Sequence, residues 1–586
     1  MSESIQAMRV PKATGTHSDV LAAVGLADLL ASAGNTMNVR LVEHETEFKV
    51  LLDRPLDAAI AQTIPQAPGY PFLKTNEETS VPTGIADVVN YKEEKAKADR
   101  TKEAANAKGK KGAKALDTET QQFIEQETIR DDWRLLQVLN TLQGDETANK
   151  VHTAVMTLTR EKFRNAVASS LANVIAGRPS GLTWNVNTVQ LFTPTSAKGY
   201  SRLKPDSTDR NDKTKQKWTD PFWEWMKYRG YFRVACPYFQ GQKGEHVRLL
   251  CPVPKDISVQ ALELVSRELR KRGIRGGAPK MDALAALRCA ELLIRHSQEY
   301  HALDAEPFPG LQLSGKTPEA AISGVLITHY QSLGNAKAVS AMTTIAVPGW
   351  FRIQSGMDAQ DWLAILDEHQ RVIRGLYDDR SDEIALLIAY RRFLEKRGES
   401  ALWALVQFME RYGAFVMKAN GLKQGNRIRW VTRFTDQYFR RIVMGMNNQL
   451  MDIVKNPGFE AIARAVRQAT VTAQNKRARR DKDAWREVRY ELLHDIHRTR
   501  QVPGNAFVEC VSEFISRYNY ENARRREVTK DIQAAPANVS DEEFKSFIGV
   551  VDRHGASVVG ALLAAYGSCK EKWEDNQNNG DNEEEK

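Results

Sequence analysis

Apolar and polar positions follow two different textures along this chain, and the change falls near residue 350. In the first part, strand-like and helix-like stretches are mixed. Val20, Leu21, Val24, Leu26, Leu29 and Leu30 recur at helical spacing behind a Ser18 or Asp19 cap, and Gly34-Asn35 stops the run. Asn38 to Val42 and Glu47 to Leu52 alternate as a hairpin does. Residues 131–176 carry a helical period closed by the turn Gly177-Arg178-Pro179-Ser180-Gly181. Tyr231 to Cys236 and His246 to Val253 read as strands around the turn Gly241 to Gly244, and 258–272 as an amphipathic helix. Ser323 to Tyr330 is apolar enough for either a strand or a buried helix. From Asp358 onward almost everything has a helical period, with stops at Gly398, Gly421 to Gly425, Pro457-Gly458, Pro503-Gly504 and Pro536.

These patterns predict an α+β protein. A mixed αβ N-terminal domain spans 1–350, an all-α helical bundle spans 357–572, and the acidic, Asn-rich residues 573–586 form a disordered tail. A chain of 586 residues is too long for one hydrophobic core, which agrees with at least two domains.

Charge changes the picture in one place. Lys418 to Lys530 holds 24 Lys and Arg against 12 Asp and Glu, so its excess of +12 exceeds the +9 of the whole chain. The cations interrupt apolar residues at helical spacing. In Trp430 to Ile442, Val431, Phe434, Tyr438 and Ile442 form one stripe while Arg433, Arg440 and Arg441 point elsewhere. A second helix is expected from Lys476 to His497, with Arg477, Arg479, Arg480, Arg486 and Arg489 among Trp485, Val488 and Leu492. A third ends in Arg524-Arg525-Arg526. One charged helix is usually a solvated face. Three in succession favour a shared trough for a phosphate backbone, and Arg, which outnumbers Lys here, pairs with phosphate as a planar fork. The candidates are Arg427, Arg429, Arg433, Arg440, Arg441, Arg477, Arg479, Arg480, Arg486, Arg524 and Arg525.

Other polar stretches carry weaker signals. Residues 91–118 are rich in Lys, Glu and Ala, then Gly and Lys. They read as an exposed helix followed by a basic loop that grips phosphates, or as a plain surface insertion. Residues 194–217 form a long polar segment that includes Lys213 and Lys215 and leads into the aromatic block Trp218 to Phe239. Stacking on bases is one reading of those rings, but core packing is the stronger. Lys243 sits in the turn 241–244. Gly273 to Lys280, with Arg275, is a glycine-rich basic turn without the order of a nucleotide-binding loop, and a helix connector explains it equally. Gln331-Ser332-Leu333-Gly334-Asn335-Ala336-Lys337 offers amide and ammonium groups that suit base edges or an ordinary turn.

No apolar run approaches the length needed to cross a bilayer, and Met1 to Lys12 has no secretory apolar core, so a cytoplasmic protein without membrane partners is expected. Cys236, Cys251, Cys289, Cys510 and Cys569 are widely spaced and read as reduced thiols. Motifs for nucleotide hydrolysis, serine hydrolysis and zinc proteolysis are missing. His494 and His497, with Glu491 one turn earlier, could begin a metal site, and His494-Asp495 is the dipeptide of HD nucleases, but nothing obvious supplies further ligands. A non-enzymatic nucleic-acid-binding subunit, with no metal or cofactor, is therefore favoured over a nuclease.

The run His17-Ser18-Asp19-Val20-Leu21-Ala22-Ala23-Val24-Gly25-Leu26-Ala27-Asp28-Leu29-Leu30 resembles the opening of large subunits of type I CRISPR surveillance complexes (Cascade), of the subtype I-B/I-A kind. Tyr330 to Lys337 followed by Val347-Pro348-Gly349-Trp350 resembles them too, and the layout agrees over nearly the full chain. The resemblance implies a seat at the foot of a guide-RNA complex, beside backbone subunits and the subunit that holds the 5′ handle. Such subunits recognise a short PAM duplex, promote its opening and hold the displaced strand on the helical bundle, while base pairing reads sequence. It implies CRISPR guide RNA, PAM-bearing double-stranded DNA and displaced single-stranded DNA as partners, with a helicase-nuclease or transposition proteins downstream. Candidate PAM-reading groups are Gln331, Ser332, Asn335 and Lys337, then Lys213, Lys215, Lys243, Arg275 and Lys280. It further implies separate copies of the bundle as small subunits, with Met417, Met444 or Met446 as internal starts. The alternatives are an HD-like metal-dependent nuclease and a structural adaptor of a ribonucleoprotein that does not bind DNA.

Overall fold

The computed structural model describes residues 5–33, 38–108, 129–186, 189, 191–192, 220–240, 246–271, 274, 276–300, 306–333, 336–421, 423–424, 427–429, 431–479 and 484–571. The chain is α+β, with its larger sheets in the N-terminal part and helices dominating the rest. It divides into two compact units. The first comprises residues 1–274, 296–312 and 318–347; the second comprises 275–295, 313–317 and 348–586.

The first unit holds two four-stranded antiparallel sheets. β1 (Ile5–Pro11), β3 (Glu47–Leu56), β2 (Val39–Glu43) and β8 (Asp256–Ser258) are neighbours in that order. β10 (Ala336–Ala346), β9 (Ile322–Leu333), β7 (His246–Pro254) and β6 (Cys236–Gln240) make the other. The expected β2–β3 hairpin forms, with Val39 opposite Leu52 and Glu43 opposite Phe48. A small parallel pair joins β4 (Phe72–Lys74) to β5 (Val88–Asn90). Helices of two or more turns in this unit are α1 (His17–Ala31), α2 (Tyr91–Lys108), α3 (Trp133–Thr141), α4 (Asp145–Thr157), α5 (Arg160–Ile175), α6 (Pro221–Val234) and α7 (Val259–Lys271).

α1 is apolar on every side because it is buried on nearly every side. Its cap is Thr16, whose side chain accepts from the Ser18 N–H. Asp19 instead holds the preceding loop by accepting from the Thr14 and Gly15 N–H groups. His17 is fully buried between Thr328 Oγ1, 2.9 Å from Nδ1, and the Leu191 carbonyl, 2.5 Å from Nε2. Burial pushes its pKa down to about 4, so the ring is a neutral core group. α1 crosses α6 with the two backbones in contact, and one glycine on each helix permits it. A β-carbon on Gly25 would lie 1.8 Å from the Met226 carbonyl oxygen, and one on Gly230 would lie 2.0 Å from that of Leu21. The aromatic block packs as core: Phe222, Trp225, Tyr228 and Tyr231 on α6 are fully buried.

The second unit is helical: α8 (Ala278–Arg295), α9 (Gly356–Gly375), α10 (Ser381–Glu395), α11 (Gly398–Gly421), α12 (Asp436–Met446), α13 (Pro457–Ala469), α14 (Val471–Ala478), α15 (Leu492–Thr499), α16 (Ala506–Thr529), α17 (Asp541–His554) and α18 (Ala556–Gly567). Trp350 anchors the stretch that follows residue 347, stacking on Trp362 with ring centroids 4.9 Å apart and on Phe393, and lying tilted against His369. α8 precedes the expected boundary at residue 350 and yet belongs here. Its positions from Met281 to Ile294 are all buried, and its buried acids find partners in this unit: Asp282 with Arg391 of α10, and Glu291 with Gln370 of α9.

Three expected elements come out differently. Tyr231 to Val234 continue α6, and the strand starts only at Cys236. A helix buried on all sides shows no polar face, so its end reads like a strand. Residues 431–435 are not helical and α12 starts at Asp436. Residues 484–491 are also irregular, separating α14 from α15 where one helix was expected from Lys476 to His497. Pro457-Gly458 follows the end of a single helical turn, Met451–Val454, and begins α13 with proline in the first turn; a β-carbon on Gly458 would lie 2.0 Å from the Glu543 carbonyl oxygen. The tail 573–586 and the segment 194–217 lie outside the described residues, as does the basic part of 91–118. The Glu/Lys/Ala part of that insertion is α2.

Residues 431–435 are held through a buried carboxylate. Glu368 on α9 accepts from the Thr435 N–H at 2.9 Å and from its hydroxyl. Burial outweighs these hydrogen bonds and raises the Glu368 pKa from 4.5 to about 7. The folded state therefore keeps a proton that the unfolded chain loses above about pH 4.5. This group's contribution is complete below that pH and is lost, at about 1.4 kcal/mol per pH unit, as pH rises toward 7. Glu368→Gln mimics the protonated acid, with its amide N–H donating to the Thr435 hydroxyl. Urea unfolding between pH 5 and 8 should show the wild type losing stability relative to E368Q as pH rises. Parallel curves would rule out this titration.

Candidate nucleic-acid interface

The expected trough of converging arginines does not form as a whole, because five of its eleven members are buried or ion-paired within the unit. Arg429 makes a two-pronged pair with Glu383, donates to the Gly375 carbonyl and lies 4.0 Å over the Tyr377 ring. Arg433 is buried. Arg440 pairs with Glu460 at 2.6 Å, and Arg441 pairs with Asp358, whose side chain closes the capping box of α9 with Ser355, over the Phe351 ring. Arg486 is buried against Glu521 and Asn522, with its guanidinium near the rings of Trp485 and Tyr518. These five side chains are corrected from strand contacts to struts within the second unit. For all but Arg433 the cause is an acid from a distant helix, which sequence spacing does not reveal. Arg427 lies on β12 (Arg427–Ile428), paired to β11 (Lys423–Gln424), with its side chain outside the description. Arg480 is outside it altogether.

What remains is smaller and better defined. A cleft of about 770 Å³ opens among α13, α14, the irregular segment 484–491 and α16. Arg464, Lys476 and Arg525 line it, and none of the three has an ion-paired carboxylate among the described residues. Its two acids are partly engaged: Glu571 with Arg467, and Asp531 with the Gln533 N–H. Trp485 is half-buried in the wall, 5.6 Å from the Arg525 guanidinium. Arg526 fixes the far lip by donating to the carbonyls of Ile532, Ala535 and Pro536. Arg477, Arg479 and Arg524 are exposed, and Tyr520, one turn before Arg524 on α16, is 69% exposed. Cations beside an aromatic ring suit a single nucleic-acid strand, with phosphates on the cations and a base on the ring. Of the arginines expected from sequence, Arg525 and Arg486 line this cleft, Arg486 while paired with Glu521. Arg464 was missed: it sits among the apolar positions of α13, where nothing marks it as facing a cavity.

The PAM-reading candidates are only partly described. Gln331 is exposed near the end of β9; Ser332 and Lys337 face each other across the β9–β10 ladder, with side chains outside the description. Asn335, Lys213, Lys215, Lys243 and Arg275 lie outside the described residues. Lys280 is corrected. Its ammonium donates to the carbonyls of Arg374 and Leu376, closing the C-terminus of α9, so it is committed to that helix. A polar cleft in the first unit, lined by Thr75, Asn76, Asn149 and Asn185, also contains Asp145 and Glu146, charges that repel phosphate.

His494 and His497 line a separate cleft on α15, with Glu410 of α11 3.7 Å from His497 Nδ1. Among the described residues, no group of three or more His, Cys, Asp or Glu is placed to hold a metal ion. The five cysteines are free thiols, and no described helix is long and apolar enough to cross a membrane. No protein-family model matches the chain, and no curated protein matches it significantly in sequence.

Proposed function

We propose that this chain is a non-catalytic, nucleic-acid-binding subunit of an RNA-guided complex of the type I Cascade kind, and that the cleft of Arg464, Lys476, Arg525 and Trp485 holds the displaced single strand. The observation that carries the reading is the set of three cations lining one cleft without carboxylate partners, in a unit whose other arginines are mostly paired. A cation kept at a cleft wall without a counter-ion is matched by a polyanion. The resemblance of residues 17–30 and 330–350 supplies the context: guide RNA and backbone subunits as partners, and PAM duplex recognition by the first unit, with Gln331 and the β9–β10 hairpin as its reading edge. Turnover by a nuclease centre at His494-Asp495 is the poorer reading, since these residues gather no further ligands among those described.

The neutralised arginines support one competitor, a structural adaptor that binds protein or RNA alone. Purification of the tagged chain from its native host, followed by RNA sequencing, should recover short RNAs carrying CRISPR repeat sequence. Labelled single-stranded DNA should bind the isolated chain with an affinity that falls as salt rises. Repeat-derived RNA without any DNA binding would establish the adaptor; neither result would end the proposal.

A further inference from the structure

The geometry points to a second anion site, a pocket for a phosphorylated nucleoside between α11, α15 and α18. It is independent of the strand cleft. The cleft there is about 1040 Å³, the size of sites that enclose small organic ligands. Its permanent charges are Arg411, Arg500 and Lys418, the last paired with Asp382 of α10 at 2.7 Å, against a single lining carboxylate, Glu410. That carboxylate is already consumed: Arg500 Nη2 lies 2.9 Å from Glu410 Oε1, and His497 approaches the same oxygen. Burial raises the Glu410 pKa, against the lowering effect of Arg500 and His497. Arg500 also donates to the Ser557 carbonyl and to His497 Nδ1, so this cluster is a fixed wall. Arg411 is different: it is exposed at the cleft and has no hydrogen-bonded or ion-paired partner among the described residues. An unpaired guanidinium is a receptor for phosphate.

The same cleft offers a ring site. Tyr490 lines it while 57% exposed, and Leu493 and Met417 add apolar surface. An aromatic face some way from an unpaired guanidinium fits a molecule with a flat heterocycle at one end and phosphate at the other. A free nucleotide and the phosphorylated end of a nucleic-acid chain both have this chemistry.

The probe is ATP carrying a fluorescent methylanthraniloyl group, titrated into the full chain. Binding is expected, with affinity falling about tenfold in Arg411→Ala and in Tyr490→Ala, since each removes one charge-assisted or stacking contact from an exposed position. Arg525→Ala, in the strand cleft, should leave it unchanged. Competition separates the sources. Displacement by unlabelled ATP but not by a 5′-phosphorylated oligonucleotide assigns a free nucleotide; displacement by the 5′-phosphorylated but not the 5′-hydroxyl oligonucleotide assigns a chain end. No binding up to about 1 mM, or undiminished binding in the Arg411→Ala, Tyr490→Ala double variant, overturns the site. Loss of probe binding only in Arg525→Ala would place the ligand in the strand cleft and overturn it equally. Loss of this site leaves single-strand binding untouched, so the two proposals fail separately.

Discussion

Gly25→Ala should unfold the first unit or cost it roughly 3 kcal/mol or more. The added methyl group would lie 1.8 Å from a main-chain carbonyl oxygen of α6, and 2.6 Å from the attached carbon. Neither atom belongs to a side chain that can swing aside, so the helices must separate along their contact. Separation opens voids around Leu21, Val24, Trp225 and Met226, all fully buried or nearly so. Gly230→Ala should behave alike, because Gly230 makes the reciprocal contact with Leu21. Gly549→Ala is the matched control, on α17 with open space where its β-carbon would go; helix propensity there predicts a gain of about 0.5–1 kcal/mol. Hydrogen exchange reads both effects, and α1 and α6 should lose protection in the first two variants. Unchanged protection of α1 in Gly25→Ala would mean the helices do not cross in backbone contact.

The second large effect separates the arginines that bind from those that build. Replacing Arg464, Lys476 and Arg525 together by glutamine should weaken single-stranded DNA binding by about two orders of magnitude at low salt. The slope of log affinity against log salt should become shallower by about 2, at roughly 0.7 per lost phosphate contact. The thermal midpoint should hardly move, because none of the three has an ion pair to lose. Arg429→Ala should do the reverse. Its guanidinium forks onto Glu383, a carboxylate only 1% exposed, and removing it leaves that buried charge with the longer contact to Arg380, 3.6 Å, a loss of about 3 kcal/mol. DNA binding by the fraction that stays folded should keep its salt slope. A steeper loss of binding from Arg429→Ala than from the triple variant, at equal folded fraction, would place the strand elsewhere.

The helix–hairpin start, the amphipathic α7 and the helical texture after residue 358 were all readable, since each depends on a local period that one-sided burial imposes on the sequence. The ends of α6 and the break between α14 and α15 were not. α6 is surrounded by core, so no polar face marks its length, and in 484–491 Trp485 and Val488 keep a helix-like spacing while the backbone turns to donate the Arg489 N–H to the Ala469 carbonyl. The candidate site shows the same limit more sharply. The sequence located the excess of positive charge, but Arg429, Arg440 and Arg441 look no different in it from Arg525.

By itself, then, the sequence determined the α+β class, the helical back half and the stretch in which the cations are concentrated. These follow from periodicity and composition, which act between residues a few positions apart. Tertiary structure decided which cations are free: the acids that neutralise Arg429, Arg441 and Arg486 come from positions 383, 358 and 521, tens of residues away. It also decided the α1–α6 contact through two glycines about two hundred residues apart. Charge pairing and close packing depend on distance in space, and only the folded chain sets that distance.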